Sequence, residues 1–178
     1  MRKIILAVAI SLDGKIEGPN GEFDWCFTDQ DYGMNKFLAG IDTIFFGRKS
    51  YELVRRMDES GEYKDPYRHL NNFVFTNTLA EVTEGYSIIS GNIGDQVREL
   101  KEKKGGKNIW LFGGTSLTTS LMNAGLIDEL WLSFHPIILG PGKPLFEDLN
   151  GRFPLKLINS KTYSTGLISI KYRIHYPG

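Results

Sequence analysis

The sequence predicts an α/β fold in three layers: a mixed, mostly parallel sheet with helices on both faces and an antiparallel hairpin at the C-terminus. Three observations carry this. Short apolar, β-rich runs alternate with segments of helical period, the pattern of strands joined by crossover helices. Glycines stand where a strand run passes into a helical one, at Gly47 and at Gly113-Gly114. The last two apolar runs, 155–163 and 167–175, are separated only by Ser164-Thr165-Gly166, a hairpin signal.

Residues 4–10 read as a buried first strand. The basic start Met1-Arg2-Lys3 ahead of it superficially resembles a signal peptide, but the apolar run is short for one and Ser11-Leu12-Asp13-Gly14 offers no convincing processing site. Tyr32, Met34, Phe37, Leu38 and Ile41 follow helical spacing, with Gly40 as a stop. Residues 43–46 form a short buried strand closed by Gly47-Arg48, and a helix follows through Tyr51, Val54 and Arg55. The polar stretch 58–72, with Gly61 and Pro66, reads as a surface excursion, and 72–76 and 86–89 as strands. Ile93, Val97 and Leu100 fall at i, i+4 and i+7, so 94–104 makes an amphipathic helix. Asp95 and Glu99 towards its start and Lys101, Lys103 and Lys104 at its end suit the helix dipole, and Gly105-Gly106 ends it. Residues 109–112 are a buried strand, Gly113-Gly114 a turn, 115–124 a helix and 129–139 a longer strand.

With no repeat, low-complexity segment or linker, the 178 residues form one domain, long enough to bury a sizeable core. Lysine plus arginine equals aspartate plus glutamate at 21 each, so the bulk charge points to neither nucleic acid nor an anionic membrane as partner. The single cysteine, Cys26, rules out an intramolecular disulfide and any all-cysteine metal site, and it fits a reducing, cytoplasmic compartment. His69, His135 and His175 are far apart and lack metal-ligand spacing.

Two strand-to-helix junctions carry the chemistry. In Phe45-Phe46-Gly47-Arg48-Lys49-Ser50, free N–H groups at a helix start can bind phosphate, and an arginine can clamp a second phosphate in bidentate fashion. An arginine here favours the 2′-phosphorylated dinucleotide, NADPH over NADH. In Ile109-Trp110-Leu111-Phe112-Gly113-Gly114-Thr115-Ser116, two glycines again suggest backbone pressed against a ligand. Each junction also has a plain reading, a solvated Arg-Lys pair in the first and a capped tight turn in the second. Neither G-x-G-x-x-G nor the P-loop pattern occurs.

In order along the chain stand Ser11-Leu12-Asp13-Gly14-Lys15-Ile16, Asp24-Trp25, Gly47-Arg48, Thr76-Asn77 and Gly113-Gly114-Thr115. Further on come Leu126-Ile127-Asp128-Glu129-Leu130, Pro136, Leu139-Gly140-Pro141-Gly142 and Leu145-Phe146. This ordered set resembles the dihydrofolate reductase superfamily over nearly the whole chain. It is most similar to the branch containing the C-terminal reductase domain of the bifunctional riboflavin-biosynthesis deaminase-reductase, the 5-amino-6-(5-phosphoribosylamino)uracil reductase. The resemblance implies a dihydrofolate reductase-like fold holding NADPH across the carboxyl ends of the strands. By position, Gly47, Arg48 and Ser50 would meet the 2′-phosphate and pyrophosphate, and Thr76 and Asn77 the adenine-ribose side. Gly113, Gly114, Thr115 and Ser116 would cradle the pyrophosphate and nicotinamide ribose, with Ala9 beside the nicotinamide. The loop from Asp13 through Trp25 would cover the substrate, with Trp25 near its entrance.

Dihydrofolate reductases carry a carboxylate shortly after the loop tryptophan. Counted without a gap, that place falls on Gln30, with Asp29 and Asp31 on either side, which turns the expectation away from folate. Asp13 and Asp29 are the carboxylate candidates for substrate binding or proton supply, unless Asp13 only shapes a turn with Gly14 and Asp29 only caps a helix. The expected function is an NADPH-dependent reductase of a small pterin-like or pyrimidine-like heterocycle. The alternative is a non-catalytic NADPH- or nucleotide-binding protein on the same fold. Relatives in the riboflavin branch commonly pair, so Trp131, Phe134 and the final hairpin are candidates for a homodimer interface as well as for core packing.

Overall fold

The computed structural model describes residues 1–61 and 65–176. In chain order, β1 (Ile4–Ile10), β2 (Lys15–Glu17), α1 (Met34–Ala39), β3 (Ile41–Gly47) and α2 (Arg48–Ser60) come first. They are followed by β4 (Asn71–Phe75), β5 (Tyr86–Ile89), α3 (Ile93–Glu102), β6 (Asn108–Gly113) and α4 (Thr115–Asn123). The chain ends with β7 (Glu129–Phe134), β8 (Lys143–Pro144), β9 (Leu155–Thr162) and β10 (Ile168–Ile174). Eight strands form one sheet in the order β5-β4-β3-β6-β1-β7-β10-β9, and β2 pairs with β8 in a small second sheet. From β5 to β7 every pairing is parallel; β10 runs antiparallel to both β7 and β9.

The alternation of side chains along the parallel strands builds two cores, one on each face of the sheet. Ile4, Leu6, Phe45, Ile109, Leu111 and Leu130 pack on one face against Val97 of α3 and Leu117 and Leu121 of α4. Ala7, Ile44, Phe46, Trp110 and Trp131 pack on the other against Phe37 of α1 and Tyr51 and Val54 of α2. Fully buried side chains such as Ile44, Phe45 and Leu111 each contribute about 1.5–3 kcal/mol relative to exposure. Because α2 leaves β3 towards one face and α4 leaves β6 towards the other, a crevice opens between the carboxyl ends of these neighbouring strands.

Several boundaries depart from the sequence reading for identifiable reasons. The helix expected from Tyr32 starts at Met34, because Tyr32 (φ +50°) and Gly33 (φ +89°) are both left-handed; it stops at Gly40, and Ile41 opens β3. The strand expected over 129–139 ends at Phe134: the His135 N–H still bonds to Ile10 at 2.8 Å, but Pro136 has no N–H to continue the ladder. The stretch 58–72 is not all excursion. Helix α2 runs through Ser60, and buried Asp65 accepts hydrogen bonds from Tyr67 N–H (2.8 Å) and Tyr86 Oη (2.5 Å). The middle of that stretch, 62–64, lies outside the described residues. The β2–β8 pair was not anticipated, being three and two residues long and without a period to read. Among the described residues, no helix is long and apolar enough to cross a membrane.

Candidate functional site

The two glycine junctions meet. Phe46 and Gly113 are register partners in the β3–β6 ladder, and the Cα of Gly47 lies 3.6 Å from where a Cβ on Gly114 would sit. Gly113 (φ +137°) and Gly114 (φ +99°) both hold backbone conformations that favour glycine. A Cβ on Gly113 would meet no protein atom within 4 Å; it would project into open space. That bare backbone is what close approach of a pyrophosphate or nicotinamide ribose requires, so the residues present fit a dinucleotide here. Ser50 in the first turn of α2 adds a hydroxyl 3.5 Å from the Gly114 Cβ position.

Gly113, Gly114, Ser50 and Ala9 also line the main cavity, about 610 Å³ in volume. This cavity lies on the α1–α2 face of the sheet. Its floor comes from Ala7, Ala9, Trp110, Phe112, Trp131 and Ser133, its sides from Met34 of α1 and Leu53, Val54 and Met57 of α2. The segment after β2 covers it through Phe23, Cys26, Phe27, Thr28, Asp31 and Tyr32.

The remaining expected cofactor residues sit around the crevice without lining that cavity. Arg48 is 44% exposed by its side chain and pairs with Glu52 at 3.1 Å one helical turn on. Thr76 Oγ1 accepts the N–H groups of Thr78 (3.1 Å) and Leu79 (3.2 Å), and Asn77 Oδ1 accepts that of Gly91 (3.1 Å). Buried Thr115 donates its hydroxyl to the carbonyl of Pro144 at 2.7 Å, while Ser116 is exposed at the start of α4. Thr115 thereby fixes the strand β8 against the glycine turn.

The carboxylates are distributed differently from the sequence expectation. Asp13 accepts hydrogen bonds from Ser11 Oγ (2.6 Å), Leu139 N–H (3.1 Å) and Gly140 N–H (2.9 Å), so it ties the loop after β1 to the loop after β7. Those bonds, the Ser11 hydroxyl foremost, hold its pKa down at about 2. Asp29 is exposed and accepts the Tyr32 hydroxyl at 2.6 Å, which lowers its pKa. Neither lines the main cavity; Asp31 and Glu17 do. Asp31 accepts the N–H groups of Gly33 (3.0 Å) and Asn35 (2.8 Å), so its carboxylate secures the start of α1 while the residue borders the cavity.

Trp25 stands edge-on to His135, ring centroids 5.3 Å apart, and lines a smaller cavity of about 290 Å³ together with Asp24, Phe27 and Pro136. His135 borders both cavities. Its Nδ1 lies 2.9 Å from the Ser133 carbonyl oxygen, and its Nε2 is 3.1 Å from the Phe27 N–H. A carbonyl can only accept and an N–H can only donate, so the ring is neutral with its proton on Nδ1. Burial lowers the pKa of His135, in keeping with that state. Burial also pushes the Cys26 thiol up to about 11, with Asp24 adding to the shift, so Cys26 is a neutral wall group. Among the described residues, no three His, Cys, Asp or Glu side chains gather to hold a metal.

Asp31 and His135 were not singled out as site residues in the sequence. A gapped count from Trp25 would have brought in Asp31. His135 had no local signal, since its role depends on the covering segment folding back across the end of β7.

This architecture is the dihydrofolate reductase-like fold. The chain superposes on dihydrofolate reductase from Enterococcus faecalis complexed with NADP(H) at a TM-score of 0.69, covering 98% of this chain and 97% of that one at 14% identity. A family model, the RibD C-terminal domain, matches residues 2–169, and the chain belongs to that family. It is 45% identical to the Bacillus subtilis (strain 168) protein YyaP over 184 residues, 99% of this chain and 96% of that protein. A crystal structure from Shewanella sp. PV-4, of a protein attributed to riboflavin biosynthesis, is similar at a TM-score of 0.84 and 28% identity, covering 99% of this chain and 100% of that one.

Proposed function

We propose that this chain is an NADPH-dependent reductase of a small pterin-like or pyrimidine-like heterocycle. The observation that carries the reading is one continuous cavity of about 610 Å³ bordered by the glycine cradle, Gly113-Gly114, and by Asp31. Its volume is in the small-ligand range. NADPH, when bound, supplies a hydride. Gly47, Arg48 and Ser50 are proposed to hold the 2′-phosphate and pyrophosphate end, and Gly113, Gly114, Thr115 and Ser116 the pyrophosphate and nicotinamide ribose. Thr76 and Asn77 shape the adenine-ribose side, and Ala9 leaves room beside the nicotinamide.

Asp31 is proposed to accept N–H donors of the substrate ring and to relay to it a proton taken up from water. Asp13 acts by holding the neighbouring loops, and Asp29 by positioning Tyr32 on the cavity wall. Phe27 and His135, the latter backed by the Trp25 ring, exclude water from the same space. Strand β9 is at the edge of the sheet and is exposed along all eight residues, including Leu155, Leu157 and Ile158. An apolar edge of this kind is a liability unless covered, which supports pairing of two copies through it.

Titration with NADPH and with NADH, following nicotinamide fluorescence, tests the cofactor; binding of neither rejects the reading. Oxidation of NADPH is then followed over folates, riboflavin precursors and related rings. Cofactor binding with no oxidation across that panel favours the non-catalytic alternative.

A further inference from the structure

The smaller cavity, about 290 Å³, shares with the main one only the wall formed by Phe27 and His135. Its remaining lining is Asp24, Trp25, Pro136 and Ile137. Three rings meet there: Trp25 stands edge-on to His135, centroids 5.3 Å apart at 85°, and Phe27 lies 5.0 Å from it at 60°. The Trp25 indole N–H is taken up by the carbonyl of Glu22 at 3.2 Å, and both His135 nitrogens are engaged. These side chains therefore offer ring surface and no free donor. Among the described residues, Asp24 is the one charged side chain on this wall, and it has neither an ion pair nor a hydrogen bond.

An unpaired carboxylate beside aromatic rings selects for a cation. Ring faces attract positive charge through their quadrupole. An anion would be opposed by Asp24, and a neutral apolar molecule would leave that charge unanswered. A primary ammonium brings three N–H donors to a wall where Asp24 is the acceptor side chain left open, whereas a quaternary ammonium brings none to satisfy. Pro136 and Ile137 suit its alkyl part. The volume falls below the range of about 300–1,000 Å³ typical of sites for drug-sized ligands, so the space fits a compact ion. We propose that the smaller cavity is a second binding site, taking a small free quaternary ammonium ion between the Trp25, Phe27 and His135 rings and the carboxylate of Asp24. The ion stands on the outer side of the Phe27–His135 wall, so its binding braces Phe27 in the segment that covers the main cavity. This site does not depend on the reductase reading.

The tryptophans make the test direct, because Trp25 lines the smaller cavity while Trp110 and Trp131 line the main one. Choline and its neutral isostere 3,3-dimethylbutan-1-ol are titrated into the 15N-labelled full chain, and the indole N–H signals are followed by NMR. Choline is expected to shift the Trp25 signal with a dissociation constant about tenfold below that of the isostere, the scale of a cation–ring contact. Asp24→Asn and Trp25→Leu are each expected to narrow that gap, with the backbone amide signals reporting that the fold is kept. Asp24→Asn alters one exposed side chain, so it decides the matter if Trp25→Leu disturbs the covering segment. No shift at Trp25, equal binding of the two probes, or a gap that Asp24→Asn leaves unchanged overturns the proposal. So do shifts confined to Trp110 and Trp131, which would put the ion in the main cavity. Exchange of the Phe27 amide is expected to slow with choline bound; unchanged exchange overturns the bracing of Phe27. Phosphatidylcholine vesicles are expected to leave the protein in the supernatant, and co-sedimentation overturns the assignment to a free ion. Failure to bind NADPH, with the choline preference intact, rejects the reductase reading and leaves this site standing.

Discussion

The ring of His135 fastens Phe27 to the end of β7: its Nε2 accepts the Phe27 N–H at 3.1 Å, while its Nδ1 donates to Ser133 at 2.9 Å. Only the neutral ring can do both. Burial lowers the folded-state pKa of His135 below its ordinary value of 6.5, so at lower pH the unfolded chain takes up the proton first. The stabilisation is complete above that ordinary value. It declines as pH falls through it and levels off once pH passes the lowered folded-state value. Urea unfolding across this range is expected to show a midpoint that drops with acidity, and a His135→Gln variant is expected to lose that part of the slope.

Gly113→Ala would place a methyl group on backbone at φ +137°, pointing into open space rather than into protein. The backbone cost is about 1–3 kcal/mol. The larger effect is expected on the ligand, a loss of NADPH affinity of about a hundredfold, or about 2.7 kcal/mol. A fluorescence titration alongside a thermal melt separates the two; an alanine variant that binds NADPH normally would remove Gly113 from the cradle.

Arg48→Ala should weaken NADPH about tenfold while leaving NADH affinity near its original value, because only the former carries the 2′-phosphate. Stability should hardly change, since the exposed Arg48–Glu52 pair is worth little. Parallel titrations with the two cofactors read the ratio directly.

Asp31→Asn keeps one acceptor oxygen for the two N–H groups at the start of α1 and removes the acid. Turnover of the best heterocycle is expected to fall about a hundredfold, with NADPH binding unchanged. Asp13→Asn and Asp29→Asn, whose carboxylates do not line the cavity, should reduce it far less.

Leu157, 54% exposed on edge strand β9, is the place to test self-association. Leu157→Lys is expected to shift a dimer to monomer in sedimentation velocity without lowering the unfolding free energy by more than about 0.5 kcal/mol, the usual scale for a surface change.

Much of this molecule is legible from its residues because local pattern and tertiary packing agree. The period of Ile93, Val97 and Leu100 declares α3, and the short apolar runs around Ile44 and Leu111 declare central strands. The glycines at 47 and 113–114 were visible as separate junctions, and strand order is what makes them one site. Asp31 and His135 were hidden for a physical reason. Their placement depends on a segment of irregular backbone, 18–33, whose path is set by side-chain contacts far away in sequence, such as Phe27 with His135 and Tyr32 with Tyr163. The early end of β7 was written in Pro136, but the apolar residues beyond it, Ile137 to Leu139, masked the signal.

The division of the sheet into two faces separates robustness from adaptability. The α3–α4 face is filled by interlocking aliphatic and aromatic side chains, whereas the α1–α2 face leaves room for ligands and is roofed by a six-residue helix and irregular chain. Substitutions meant to retune what the cavity accepts therefore belong at Leu53, Met57 and Phe27, which line it and lie outside both buried clusters. A mutational library confined to those positions should retain most of its members as folded protein while varying what they accept.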